Sequence, residues 1–277
     1  MKMKLFDYVD KDNVIYNLSG LTKLIVFICM TAAVMFSYDI RFTLFVLAIS
    51  VVLFRVAELK FSQIKTMLIY VAIFLTMNFV FTFIFAPTYG TELYGTYHEL
   101  FRFNDYFVVT VEQLFYQISK ISKYASVVPL GMMFLLTTNP SEFASSLNQI
   151  GLSYKGTYAI SLTLRYFPDT VRDYNDIALA QQSRGLDLSK KEKMSTRIKN
   201  TINICMPLIM GTLDRIDKIT NAMDLRGFGK YKKRTWYVAE SLNKKDIVAL
   251  VFGVGILCIS LGISYFINGS RFWNPFV

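Results

Sequence analysis

"TMLIYVAIFLTMNFVFTFIFA", residues 66–86, contains no charged side chain in 21 positions. At about 1.5 Å of rise per residue, such a helix covers the roughly 30 Å of a bilayer's hydrocarbon. Residues 247–267 form a second run of 21 residues, also without a charge. These two stretches place the chain among integral membrane proteins, and the rest can be read outward from them.

Residues 124–141 are 18 positions free of charge. Their helix is expected to begin earlier, near Val108, and to carry Lys120 and Lys123 toward its outer end. Residues 24–38 give 15 uncharged positions, enough for a span if Lys23 snorkels to the interface. Residues 42–54 give 13, bracketed by Arg41 and Arg55, which leaves open whether the segment 42–56 crosses fully. The reading is an all-α integral membrane protein with about five transmembrane helices. Composition agrees: 53% of the 277 residues are hydrophobic and mean hydropathy is +0.38, too apolar for a soluble chain of this size.

Loop charge sets the expected orientation. The loop after the first span balances Asp39 against Arg41, and the next holds Arg55, Glu58, Lys60 and Lys65, net +2. Residues 88–112 hold Glu92, Glu99, Asp105 and Glu112 against Arg102, net −3. Residues 139–245 hold 18 basic and 10 acidic side chains, net +8. Basic loops stay inside. The expectation is a cytoplasmic N-terminus read as a retained signal-anchor, an external loop around the surface residue His98, and an external C-terminus. Three divisions follow: a membrane domain of four spans (1–138), a cytoplasmic region (139–245), and a last span with its tail (246–277). The net charge of +10 is accounted for by the bilayer, and nucleic acid is not an expected partner.

The cytoplasmic region carries the informative pattern. Asn139-Pro140-Ser141-Glu142 opens it as a helix start. A seam of Ile160, Leu164, Phe167, Val171, Tyr174, Ala178 and Gln181 then advances in steps of four and three, and ends at Ser183-Arg184-Gly185. A second seam runs from Ile198 to Met223 with the same alternation and ends at Leu225-Arg226-Gly227. Both predict long amphipathic helices with a heptad-like period. Each contains a proline, Pro168 and Pro207, expected to bend it where an apolar half meets a charged half. Each Arg-Gly ending can be a simple helix cap, with Gly in the left-handed region and a cation at the negative end of the dipole. It can equally be a plug, with Arg docking bidentately on a carboxylate and Gly permitting close backbone approach. Two plugs, 42 positions apart, would require two equivalent sockets (226 − 184).

Other chemistries find little support. Cys29, Cys205 and Cys258 have no CxxC spacing and no His neighbours, so packing is their expected role. No metal or cofactor site is read. No paired carboxylates or nucleophile with a base indicate an enzyme. Gly151 and Gly156 have P-loop spacing, but Thr157-Tyr158 stand where Lys-Ser/Thr is required. Two further readings stay open. One is a self-sufficient permease domain of another ATP-driven transporter, for which Asn78 and Pro129 are the only hints. The other is a scaffold binding anionic lipid through "KKEKMSTRIK", residues 190–199.

Several stretches resemble one family, the transmembrane T component of energy-coupling factor (ECF) transporters. "LRYFPDTVRDYNDIALAQQSRG" is similar to its stretch leading into a first Ala-Arg-Gly-type motif, with Ser183 at the usual Ala. "PLIMGTLDRIDKITNAMDLRGFG" is similar to the second, with Ala222-Met223 before Arg226-Gly227. "TTNPSEF", residues 137–143, resembles the turn leaving the membrane, and "LTKL", residues 21–24, the approach to the first span. Ser19-Gly20-Leu21 departs from the family's Asp-Pro-Arg there. The resemblance implies a non-catalytic subunit of a vitamin or micronutrient importer, joining two cytoplasmic ATPase subunits to a membrane substrate-capture subunit. Ser183, Arg184, Gly185, Leu225, Arg226 and Gly227 would meet the ATPases, without a cofactor.

The charge pattern yields a direct test. Cysteines introduced at Thr96 and Ser189 should label from opposite faces of intact cells. Labelling of both from outside would refute the five-span topology.

Overall fold

The computed structural model describes residues 13–59, 61–102, 108–186, 193–231, 235–236, 242–269 and 272–276, with the backbone alone at 61–64 and 66. The N-terminal dozen, Ser189 and residues 190–192 of the basic run lie outside the described residues. Contacts divide the chain into two units: Met1–Asn139 with Glu240–Val277, and Pro140–Ala239.

The first unit is built from α1 (Gly20–Phe36), α2 (Ile40–Val56), α3 (Phe61–Phe85), a short α4 (Tyr89–Tyr94), α5 (Val111–Thr137) and α9 (Lys244–Gly262). α9 continues into a π-helical turn, Ile263–Ile267. Each of the five expected spans therefore meets a helix. Met67–Phe85 and Lys244–Ile267 are long and apolar enough to cross a membrane; α1 and α2, at 17 residues each, are shorter. α3 presents apolar side chains on all sides, with Tyr70, Ile73, Phe74 and Phe85 exposed. The loop before α5 departs from a purely helical reading. β1 (Glu99–Arg102) pairs antiparallel with β2 (Val108–Thr110), and α5 begins at Val111 rather than near Val108 because Thr110 caps it, accepting from the Gln113 amide.

α1 and α9 lie side by side in one register. The Asp246 carboxylate accepts from the Ser19 amide at 2.9 Å and from the Asn243 amide at 2.8 Å, so one buried side chain serves the starts of both helices. One heptad on, a Cβ at Gly253 would lie 3.2 Å from Val26 Cα, too close for any larger residue without displacement. One heptad further, the Ser260 hydroxyl donates to the Ala33 carbonyl at 2.7 Å. All three pairs are 227 positions apart, so the helices run parallel with a 3.5-residue seam (246 − 19, 253 − 26, 260 − 33). The core lies against this pair, with Met30, Ala33, Val34, Phe42, Val46, Leu130 and Ile256 buried together.

Lys23 does not snorkel, contrary to the sequence expectation. It is buried, and its ammonium donates to the Tyr16 and Thr137 carbonyls at 2.8 and 3.0 Å. Thr137 is the last residue of α5, whose final carbonyls have no partner within the helix. Lys123 of α5 answers in kind, donating at 2.6 Å to Met35 in the last turn of α1 and lying 3.4 Å over the Tyr38 ring. The two antiparallel helices thus cap each other's C-terminal ends, and cations at those ends also complement the helix dipoles. Phe27 and Phe134 stack between them at 5.0 Å. α2 approaches α5 through small polar residues, with the Ser126 hydroxyl donating to the Thr43 carbonyl at 2.9 Å.

At the α1–α2 turn, residues after α9 are threaded back into the bundle. Phe272 stacks on Tyr38 at 4.5 Å, Trp273 receives the Arg41 guanidinium at 4.2 Å, and Phe276 packs against Tyr94, His98 and Phe115. His98 is exposed, yet its Nδ1 lies 2.6 Å from a fully buried Glu112 carboxylate. Asp39 fastens this end. Its buried carboxylate accepts from Arg41 Nη2 at 2.8 Å and from Asn268 Nδ2 at 3.2 Å.

The second unit holds α6 (Pro140–Gln149), α7 (Tyr154–Ser183) and α8 (Met194–Leu225). α6 turns into α7 at Gly151, whose φ of +115° suits glycine alone, and Ser153 caps α7 by accepting from the Gly156 amide.

Asp39 sets a pH dependence. Burial pushes its carboxyl upward, but hydrogen bonds from Arg41 and Asn268 outweigh this and hold it below the ordinary carboxylate range. A lowered folded-state value contributes stability above the unfolded value of about 3.9, lost as pH falls below it toward the folded value. Asp39→Asn should destabilise the fold at pH 7 by on the order of 1.5–3 kcal/mol, read as a lower thermal midpoint. The gap to the parent should close as melts are repeated into the range below about 3.9, and a gap independent of pH would refute the assignment.

Candidate functional site

The two Arg-Gly endings are built alike. Arg184 occupies the C-cap of α7 at φ −89°, ψ 9°, and Arg226 that of α8 at φ −85°, ψ 8°. Gly185 and Gly227 follow in the left-handed region, at φ +88° and +70°. At the first end the Gly185 amide donates to Gln182 and the Leu186 amide to Gln181; at the second the Gly227 amide donates to Asp224 and the Phe228 amide to Met223. This pair of bonds is the Schellman motif, which satisfies otherwise orphaned carbonyls and stops the helix. The cap reading of the sequence therefore holds at both ends, and it leaves both side chains spare. Arg184 and Arg226 are exposed, and neither guanidinium has an ion-pair partner among the described residues.

The flanking positions differ. Ser183 donates its hydroxyl to the Leu179 carbonyl of its own helix at 3.0 Å, whereas Leu225 is 91% exposed beside Arg226. An apolar side chain so far in solvent, next to an unpaired cation, has the composition of a contact surface. Pro168 and Pro207 sit inside continuous helices, where their missing donors leave the Leu164 and Asn203 carbonyls without the usual partner.

Two features here escaped the sequence reading. Phe228, just past the second ending, packs against Tyr154 and Tyr158 with ring centroids 5.7 and 4.8 Å away. Trp236 closes the cluster at 5.6 Å from Tyr154 and donates from Nε1 to Asn148 at 3.1 Å. The end of α8 is thereby anchored to the start of α7. The second is an ion pair between the two long helices, Arg215 with Asp173 at 2.6 Å. The sequence signal was present in "RGFGK", an aromatic where the first motif has Leu186, but its partners lie some 70 positions earlier (228 − 158 = 70).

The anchor can be tested. Phe228→Ala should cost roughly 3 kcal/mol, at the low end for aromatic truncation because the cluster is partly open. Near-ultraviolet circular dichroism of the Tyr154–Tyr158–Trp236 cluster should weaken in step. An unchanged spectrum and thermal midpoint would show that the cluster does not hold this end.

The chain is similar to known transport proteins. Residues 11–237 match the CbiQ family, described as cobalt transport protein. The energy-coupling factor transporter transmembrane protein EcfT of Leuconostoc gelidum is 29% identical over 171 residues, 59% of this chain and 63% of that protein. The protein of the same name from Streptococcus equi is 25% identical over 283 residues, 96% of each chain. A putative ABC transporter ATP-binding protein of Bifidobacterium longum is 29% identical over 134 residues, 46% of this chain and 17% of that protein. Against the Leuconostoc protein and two further relatives named EcfT, the matched part of the chain spans only 63%, 54% and 51% of their length. The family match covers most of the chain, and the chain belongs to the CbiQ family of transport proteins, as a transmembrane T component of the ECF type.

Proposed function

We propose that this member of the CbiQ family couples two cytoplasmic ATPase subunits to a membrane substrate-capture subunit, with Arg184 and Arg226 as the two plugs. The observation that carries the reading is the pair of matching caps. Each Schellman ending satisfies its helix without using the guanidinium, so both arginines are held at a helix tip with five donors to spare. A planar fork beside a glycine suits a groove presenting a carboxylate. Two alike endings suit a partner with two alike grooves. The ATP-binding relative supports an ATPase as that partner, since a segment like this chain makes up part of it.

In this reading the chain hydrolyses no ATP itself. Closure of the ATPase pair on nucleotide would swing α7 and α8, a two-state lever of the kind that amplifies small shifts. The apolar stripe of α8, including Ile202, Met206, Ile209 and Leu213, each about half exposed, would carry the motion to the capture subunit. Pro168 and Pro207 would set the bend of each lever. The five-span topology, the cytoplasmic placing of 139–245 between membrane parts 1–138 and 246–277, and the vitamin or micronutrient cargo belong to the same proposal.

The competing account, that these arginines only complement helix dipoles, differs in magnitude. Loss of a dipole contact would cost roughly 0.3–1 kcal/mol and spare function. Loss of a buried fork would leave a carboxylate unpaired, at a cost of roughly 2–5 kcal/mol per contact. Arg184→Ala or Arg226→Ala should weaken ATPase attachment while membrane insertion stays normal, with poor rescue by Lys. The double variant should lose the ATPase subunits on purification. Full co-elution with persisting uptake would reduce both endings to helix caps.

A further inference from the structure

α7 and α8 not only end alike; one ion pair joins them at equivalent positions. Arg215 Nη2 donates to Asp173 Oδ2 at 2.6 Å. Asp173 precedes Arg184 by 11 residues, and Arg215 precedes Arg226 by 11 (184 − 173 = 226 − 215). Eleven residues are about three helical turns, so on each helix the ion-pair partner and the motif arginine share a face, about 16 Å apart. A two-fold relation between two elements brings equivalent positions into contact only at its axis. Identical charges meeting there would repel. Here one helix carries a carboxylate and the other a guanidinium, so the contact is an attraction.

We infer that the Asp173–Arg215 pair is the pin that sets the separation of the Arg184 and Arg226 ends, a positioning pair for the coupling proposed above and resting on that reading. Both side chains remain partly in water, at 39% and 37% exposure. A pair this accessible is weak and screened by salt, so it can open and reclose. That suits helices whose spread must change within a cycle, where a buried rivet would resist. The Asp169–Arg172 pair, at 3.5 Å, lies on α7 alone and cannot substitute. Among the described residues, no other ion pair links the two helices.

The test uses the full chain with its native cysteines replaced and nitroxide labels at Gln182 and Asp224, one position pair before the motifs. Pulsed electron resonance should give a narrow distance distribution for the parent that broadens with salt. Asp173→Asn and Arg215→Gln should each broaden it at low salt, and the exchanged pair Asp173→Arg/Arg215→Asp should restore it. Distributions unchanged in both single variants would overturn the pin. With ATPase and capture subunits present, the single variants should keep the ATPases attached. Substrate moved per ATP hydrolysed should fall about two- to fivefold, the scale of a half-exposed ion pair, and recover in the exchange. An unaltered ratio would overturn the coupling role. Failure of ATPases to bind the unsubstituted chain would count against the proposed function, while the distance measurement still decides the pin.

Discussion

A single carboxylate, Asp246, closes a gap of more than two hundred residues. It accepts from the Ser19 amide and from the Asn243 amide, so α1 and α9 begin side by side. From there the register cannot drift: Gly253 admits Val26 at close range and Ser260 reaches the Ala33 carbonyl, each one heptad after the last. In an apolar solvent no hydrophobic force drives helices together, and close packing plus satisfied polar groups must do it. The seam supplies both. The core of Met30, Val34, Leu130 and Ile256 lies against it, so the first unit depends on this contact.

The same logic disposes of the buried lysines. Lys23 and Lys123 would be costly within an apolar bundle if unpaired. Each instead donates to a carbonyl at the C-terminal end of the opposite helix, Thr137 and Met35, where orphan acceptors need a partner. The cation gains hydrogen bonds and a favourable dipole, and the helix end gains a cap. At the α1–α2 turn Asp39 does comparable work with Arg41 and Asn268, and the aromatic residues 272, 273 and 276 fill the surrounding gaps.

In the second unit, capping each long helix leaves its terminal arginine side chain unused. The Schellman bonds come from backbone amides past the helix end, so the arginine at the C-cap is left out of the capping. The stop of the helix is what places the guanidinium at its tip. The two ends still differ in support. Phe228 ties the second to Tyr154, Tyr158 and Trp236, while residues beyond Leu186 at the first end lie outside the described set. The Asp173–Arg215 ion pair joins the two helices about three turns before their tips.

Local pattern alone determined a good deal. Uncharged runs announced the membrane helices because length and charge are properties of contiguous residues, and the 3.5-residue seams announced α7 and α8 with endings at Ser183 and Leu225. Gly after Arg announced the caps, since only glycine takes a positive φ without strain. The tertiary structure decided which residues meet across long separations. Lys23 was read as snorkelling because its acceptor, the Thr137 carbonyl, is 114 positions away and is backbone, invisible in a side-chain pattern. Asp246 sits in the first turn of α9, and its bond to the Ser19 amide spans 227 positions. The pairing of Asp173 with Arg215 is likewise tertiary, because spacing along one helix says nothing about which turn of another helix it faces.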